Sequence, residues 1–196
     1  VFNILKSNIK VCCNSTKNIT LFNFGLGLKG GTFELMVPKH NFGGAFVADN
    51  NDYNKNILAE KDGFNTFEEK NYFIEKITIV DESFLIENIF NQLNLESEGV
   101  IKIDVEGYEL QVIELILKSL ECSKYVIIFE NWKNIPKKSF TDLIKKYTNN
   151  NFDLFIIKSP KIFGKRLPHF FKTRMKKVSI DSEFLDAGSD IILQFK

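Results

Sequence analysis

Apolar positions in the second half of the chain repeat with two alternating periods. Residues 100–103 form a short β run that ends at Asp104-Val-Glu-Gly107. Over residues 108–120 the period lengthens: Leu110, Ile113, Leu117 and Leu120 share one helical face, widened by Val112 and Ile116. Residues 125–129 are apolar throughout, as in a buried parallel strand. Residues 139–148 read as a helix with Ser139 as its N-cap, stopped by Asn149-Asn-Asn151. Residues 153–157 and 190–195 are two more strands. This order predicts an α/β fold: a mostly parallel sheet, helices on both faces, and an antiparallel last strand.

The first half is less regular. Residues 2–9 look helical, and residues 19–24, 32–37 and 77–80 look like strands. Residues 49–71, rich in Asn, Lys, Asp and Glu, read as an insert or excursion, and residues 81–93 as a helix. Nothing splits residues 1–196 into separate domains.

Gly25-Leu-Gly-Leu-Lys-Gly30 matches a dinucleotide-binding glycine pattern, with Asp49 about twenty residues on. That chemistry needs a helix to begin within the glycines, so that its N-terminus faces the pyrophosphate. A β run follows instead. The glycines read as a strand turn, which argues against a nicotinamide-dependent dehydrogenase.

Composition narrows the classes further. The 26 Lys+Arg nearly cancel the 25 Asp+Glu, so net charge makes no case for a nucleic-acid or membrane-surface coat. The apolar runs are strand-sized, too short to span a bilayer. The three cysteines, Cys12, Cys13 and Cys122, have no metal-binding spacing and suit thiols in a reducing cytoplasm. Two histidines, His40 and His169, give little support to a His-based metal site or triad. Local charge is uneven. Residues 81–109 hold eight acids and one Lys, whereas residues 154–180 hold eight Lys/Arg and no acid. The basic stretch reads either as a solvated loop between the last two strands or as a rim that attracts a phosphorylated or lipid-linked ligand or an anionic membrane.

The most informative segment is Ile101-Lys-Ile-Asp-Val-Glu-Gly-Tyr-Glu-Leu110. It places Asp104, Glu106 and Glu109 at the carboxyl end of a strand, the edge where ligands bind in open α/β sheets. Gly107 permits the sharp turn into the helix. Glu106 and Glu109 either complement the dipole of that helix or face a ligand. Lys102 either neutralises a carboxylate or reaches along the crevice. Glu130 closes the next strand at the same edge, as a solvated carboxylate or a site residue. Trp132 beyond it stacks on a sugar ring or caps the core. Taken together, the cluster favours a site.

This segment closely resembles the hallmark of the FkbM-type methyltransferases, an S-adenosylmethionine-dependent family of Rossmann-like class I fold. Other parts of the family pattern follow in order. Phe2-Asn-Ile-Leu-Lys-Ser-Asn-Ile9 resembles the helix after the ribose-binding strand, and residues 19–27 the third strand with its Gly-Leu-Gly end. Asn41-Phe-Gly-Gly44 resembles a conserved-type loop of the family, Ile79-Val-Asp81 its next element, and residues 126–130 its fifth strand. The resemblance implies that the family's first two strands and glycine motif would precede Val1, so this chain would be the last part of a domain of about 250 residues. It implies S-adenosylmethionine as cofactor and methyl transfer to a hydroxyl of a sugar, glycan or related metabolite. Asp104 and Glu106, then Glu109 and Glu130, would be catalytic carboxylates. Gly25, Leu26 and Asn41 would lie near the cofactor, and Lys102, Tyr108 and Trp132 near the acceptor. A non-catalytic module of the same fold, binding an acidic partner through the basic stretch, is the alternative.

Overall fold

The computed structural model describes residues 2–13, 19–49, 51, 54–90, 98–120, 125–131, 137–149, 151–158, 161–162, 165–166, 174–181 and 189–196. In chain order they form α1 (Phe2–Cys12), β1 (Gly25–Leu26), β2 (Gly31–Pro38), β3 (Phe46–Val47), α2 (Lys55–Lys61), β4 (Tyr72–Val80), α3 (Glu82–Asn88), β5 (Gly99–Ile103), α4 (Glu109–Ser119) and β6 (Tyr125–Asn131). Then come α5 (Lys137–Thr148), β7 (Phe152–Lys158), β8 (Lys161–Ile162), β9 (Lys165–Arg166), β10 (Arg174–Val178) and β11 (Ser189–Phe195). The fold is mixed α/β with two main sheets, ordered β1-β4-β2-β3 and β10-β7-β11-β6-β5.

The larger sheet owes its stability to one face. In register, Ile101 and Ile103 lie beside Ile127 and Phe129, these beside Leu193 and Ile191, and these beside Leu154 and Ile156. Period-2 alternation puts all of them on the same side. Ile113, Ile116 and Leu117 of α4 and Phe140 and Ile144 of α5 join that core, and the rings of Phe129 and Phe140 meet at 5.4 Å. The two helices are tied at their outer edge. Burial works to raise the Glu114 carboxyl, but the Tyr147 hydroxyl at 2.9 Å, with Lys118 and Lys146, outweighs it and holds the group below its ordinary value.

Several sequence expectations change here. Pairing is not mostly parallel: β5–β6 and β1–β4 are parallel, and the other ladders are antiparallel. The last strand is antiparallel, as expected, but it inserts between β6 and β7. The far face of this sheet is not sandwiched like the near one: Val126, Ile128 and Phe155 are half-buried and Val100 is 67% exposed. β5 borders the sheet among the described residues, which explains how Val100 and Lys102 can be exposed within a strand. Residues 19–23 form no strand; only Gly25–Leu26 pairs, with β4. Ser139 is no N-cap, because α5 already begins at Lys137.

The expected basic loop of residues 154–180 contains β10, which pairs with β7. Asp153 explains part of that docking. It accepts from Lys177 at 2.7 Å and from Lys196 at 2.9 Å, and these ammonium groups hold its carboxyl below the ordinary value. The helix ends follow local chemistry. Asp81 caps α3 by accepting from the Phe84 amide, and Asn149, at φ 48°, stops α5 in the left-handed conformation that asparagine tolerates.

Gly107 has φ 73°, where a Cβ meets the following carbonyl. Gly107→Ala is therefore expected to cost about 1–2 kcal/mol of stability, measured by urea unfolding. An unchanged midpoint would show that the turn relaxes freely.

Candidate functional site

A cleft of about 460 Å³ opens where the two main sheets meet. One wall is the turn after β5, with Asp104, Val105, Glu106 and Tyr108. The other combines Gly25 and Leu26 of β1, Leu35 of β2, Phe46 and Val47 of β3, and Ile77 and Ile79 of β4. Five residues singled out from sequence, Asp104, Glu106, Tyr108, Gly25 and Leu26, thus line one space. Close packing joins the walls. A Cβ on Gly27 would stand 3.1 Å from the Tyr108 ring and 2.9 Å from an Ile79 methyl, so only glycine lets the end of β1 approach the turn.

The remaining candidates lie elsewhere. Glu109 is 3% exposed in the first turn of α4, outside the cleft lining. Glu130 is half-buried in β6, with Asp190 of β11 as its register neighbour. Lys102 is exposed, 3.4 Å from Asp104 Oδ2, and its ammonium also donates to the Ile103 carbonyl at 3.2 Å. Tyr108, already placed in the cleft wall, is 5% exposed and contributes a buried surface. Asn41 donates to Asp62 Oδ1 at 3.1 Å. Trp132 lies outside the described residues.

The structure also adds residues that no motif announces. Lys61, at the end of α2, forms an ion pair with Glu106, and both side chains are about four-fifths buried: 20% and 18% exposed. The Asn51 amide donates to the Glu106 carbonyl at 2.8 Å and to the Val47 carbonyl at 3.1 Å, stitching β3 to the turn. Asp62 presses on Gly44, where a Cβ would meet Asp62 Oδ1 at 2.2 Å. One signal was available: the acidic stretch 81–109 carries a single Lys, so its counter-charge had to come from another part of the chain.

Burial raises the Asp62 carboxyl above its ordinary value; the Asn41 bond opposes this, Glu106 adds to it and Lys61 opposes it. The Tyr72 hydroxyl is pushed up to about 12, mainly by burial and then by Asp62. A raised carboxyl stabilises the fold fully below pH 3.8 and loses that contribution as pH rises through its folded value. Asp62→Asn should therefore be more stable than the parent near neutral pH, with the gain vanishing as the acid limit is approached. Chemical denaturation across a pH series measures it, and a gain independent of pH would contradict the burial argument.

Chemically, the lining offers flat apolar surface from Leu26, Leu35, Ile77 and Ile79 and two carboxylates from the turn. That combination suits a ligand with an apolar ring and a polar or hydroxyl-bearing part: apolar walls for the one, anionic oxygens for the other. Among the described residues, no helix is long and apolar enough to cross a membrane. The chain matches the family model described as the Methyltransferase FkbM domain over residues 2–154. No curated protein and no solved structure matches it.

Proposed function

Because the chain belongs to the FkbM methyltransferase domain family, we propose that it serves an S-adenosylmethionine-dependent O-methyltransferase acting on a hydroxyl of a sugar, glycan or related metabolite. The observation that carries this reading is the convergence of Asp104, Glu106, Gly25 and Leu26 on one cleft inside the matched span. A Rossmann-like class I arrangement is supported by the larger sheet, where β5 and β6 are parallel and β11 runs antiparallel between β6 and β7.

Gly25 and Leu26, with Ile77 and Ile79, would hold the adenosyl part of the cofactor. When bound, its sulfonium supplies an electrophilic methyl carbon. The protein's task is then alignment of the acceptor oxygen behind that carbon, since positioning supplies much of the rate in such displacements. Asp104, largely exposed at the rim, and Glu106, half-buried beside Lys61, are assigned to orient the acceptor hydroxyl and would take the proton that it loses as the methyl group passes to it and the thioether leaves. The half-buried ion pair keeps the Glu106 oxygens in one place, which suits an orienting role. Glu109 and Glu130, the second choices among the carboxylates, stand outside the cleft lining and are given no part in this step.

Isotope-labelled S-adenosylmethionine, incubated with the full-length protein and a panel of glycans and sugar phosphates, tests the reading. Label transferred to an acceptor oxygen is the expected result. Binding of S-adenosylhomocysteine without transfer to any hydroxyl would point to a different acceptor atom, and no binding at all would end the cofactor assignment.

A further inference from the structure

We propose that Lys61 is a positioning residue for the acidic turn, holding the Glu106 carboxylate at the cleft against the like charge of Asp62. The inference deepens the methyl-transfer reading and rests on it only for what Glu106 does once it is held.

Two residues of one excursion, Asn51 and Lys61, hold this turn, and the Asn41–Gly44 loop braces the excursion at Asp62. The Asn41–Gly44 loop carries Asn41, which donates to Asp62 at 3.1 Å, and Gly44, whose missing side chain leaves room for the Asp62 carboxylate. Asn51 fixes the backbone of Glu106 through its carbonyl at 2.8 Å. Lys61 fixes the Glu106 side chain through the ion pair. Backbone and side chain are therefore held from the same excursion, residues 49–71, while Gly107, at φ 73°, makes the sharp turn that carries Glu106 past the end of β5.

Charge gives the arrangement its direction. Asp62 and Glu106 are near enough for Glu106 to raise the Asp62 carboxyl, and Lys61 counters this. With the ammonium removed, two partly buried carboxylates would repel each other, and the Glu106 side chain is the one free to leave, since Asp62 is wedged against Gly44 and bonded to Asn41. Half-burial makes the pair stronger than a solvated surface bridge, because screening by water and salt is weaker there. An arginine could replace the cation, whereas a methionine of similar length keeps the packing and loses the charge.

The test is a cycle on the full-length protein: Lys61→Met, Lys61→Arg, Glu106→Gln, and Lys61→Met combined with Glu106→Gln. Amide hydrogen exchange is read at residues 105–108, with α4 and β6 as folding controls. Methyl transfer is followed in the same samples. Lys61→Met is expected to speed exchange of the turn about tenfold and to lower kcat about tenfold, leaving KM for S-adenosylmethionine nearly unchanged. Lys61→Arg should recover most of both, and in the Glu106→Gln background the methionine should add little. Turn amides that keep their parental rate in Lys61→Met, an unchanged kcat, or a methionine effect undiminished beside Glu106→Gln would each overturn the assignment. If Lys61→Met does not fold, Lys61→Gln enters the same cycle. Absence of methyl transfer in the parent overturns the functional reading instead, and the exchange cycle alone then decides the role of Lys61.

Discussion

The combined change Asp104→Asn and Glu106→Gln is expected to lower methyl transfer by roughly a hundredfold or more, with the fold intact. Both substitutions keep shape; they remove charge and basicity and turn one accepting oxygen into a donating amide. Loss of rate therefore reports proton acceptance and orientation, not packing. Glu106 should carry the larger share, because its side chain is 18% exposed and ion-paired, whereas Asp104 is 72% exposed, with the Lys102 ammonium 3.4 Å away. A carboxylate in water loses orientation quickly, and a held one does not. The measurement is single-turnover transfer with each single variant and the pair, alongside circular dichroism. A pair as active as the parent would remove both residues from the acceptor side.

Phe129→Ala is expected to destabilise the chain by about 3–5 kcal/mol. Phe129 is fully buried in β6, between Ile103 of β5 and Ile191 of β11, with Phe140 of α5 against its ring. A cavity there cannot collapse easily, since strands on both sides are fixed by ladders and the helix above is held through Glu114. The effect should reach the site as well, because β5 leads straight into the acidic turn. Urea unfolding gives the stability change, and a loss under about 1 kcal/mol would mean that the core around α5 is looser than its packing implies.

The core elements were readable because their rules are local. The helical face of Leu110, Ile113 and Leu117 became α4, and its three residues are buried. The apolar runs around 127 and 192 became β6 and β11. Gly107 took the positive φ that a sharp strand-to-helix turn demands. Where the reading failed, a non-local partner decided. Residues 19–23 have strand composition but no strand partner beyond Gly25–Leu26, and β-propensity without pairing does not make a strand. The sense of pairing was misjudged because chain order allows β11 to sit at an edge or between β6 and β7. Burial on both sides favours the second, since Ile191 and Leu193 then pack between two apolar neighbours.

The sequence by itself determined the mixed α/β class, the identity of α4, β6, β7 and β11, and the family membership carried by the Asp104–Glu109 run. Periodicity, turn chemistry and a short motif are properties of neighbouring residues, and they survive without knowledge of the fold. Only the tertiary structure decided that Gly25, Ile79 and Tyr108 close one cleft with Asp104 and Glu106, and that Lys61, 45 residues before Glu106, supplies its counter-charge. The physical reason is range. A half-buried carboxylate demands a cation, but nothing in the local pattern says which of the chain's lysines the packing will bring to it.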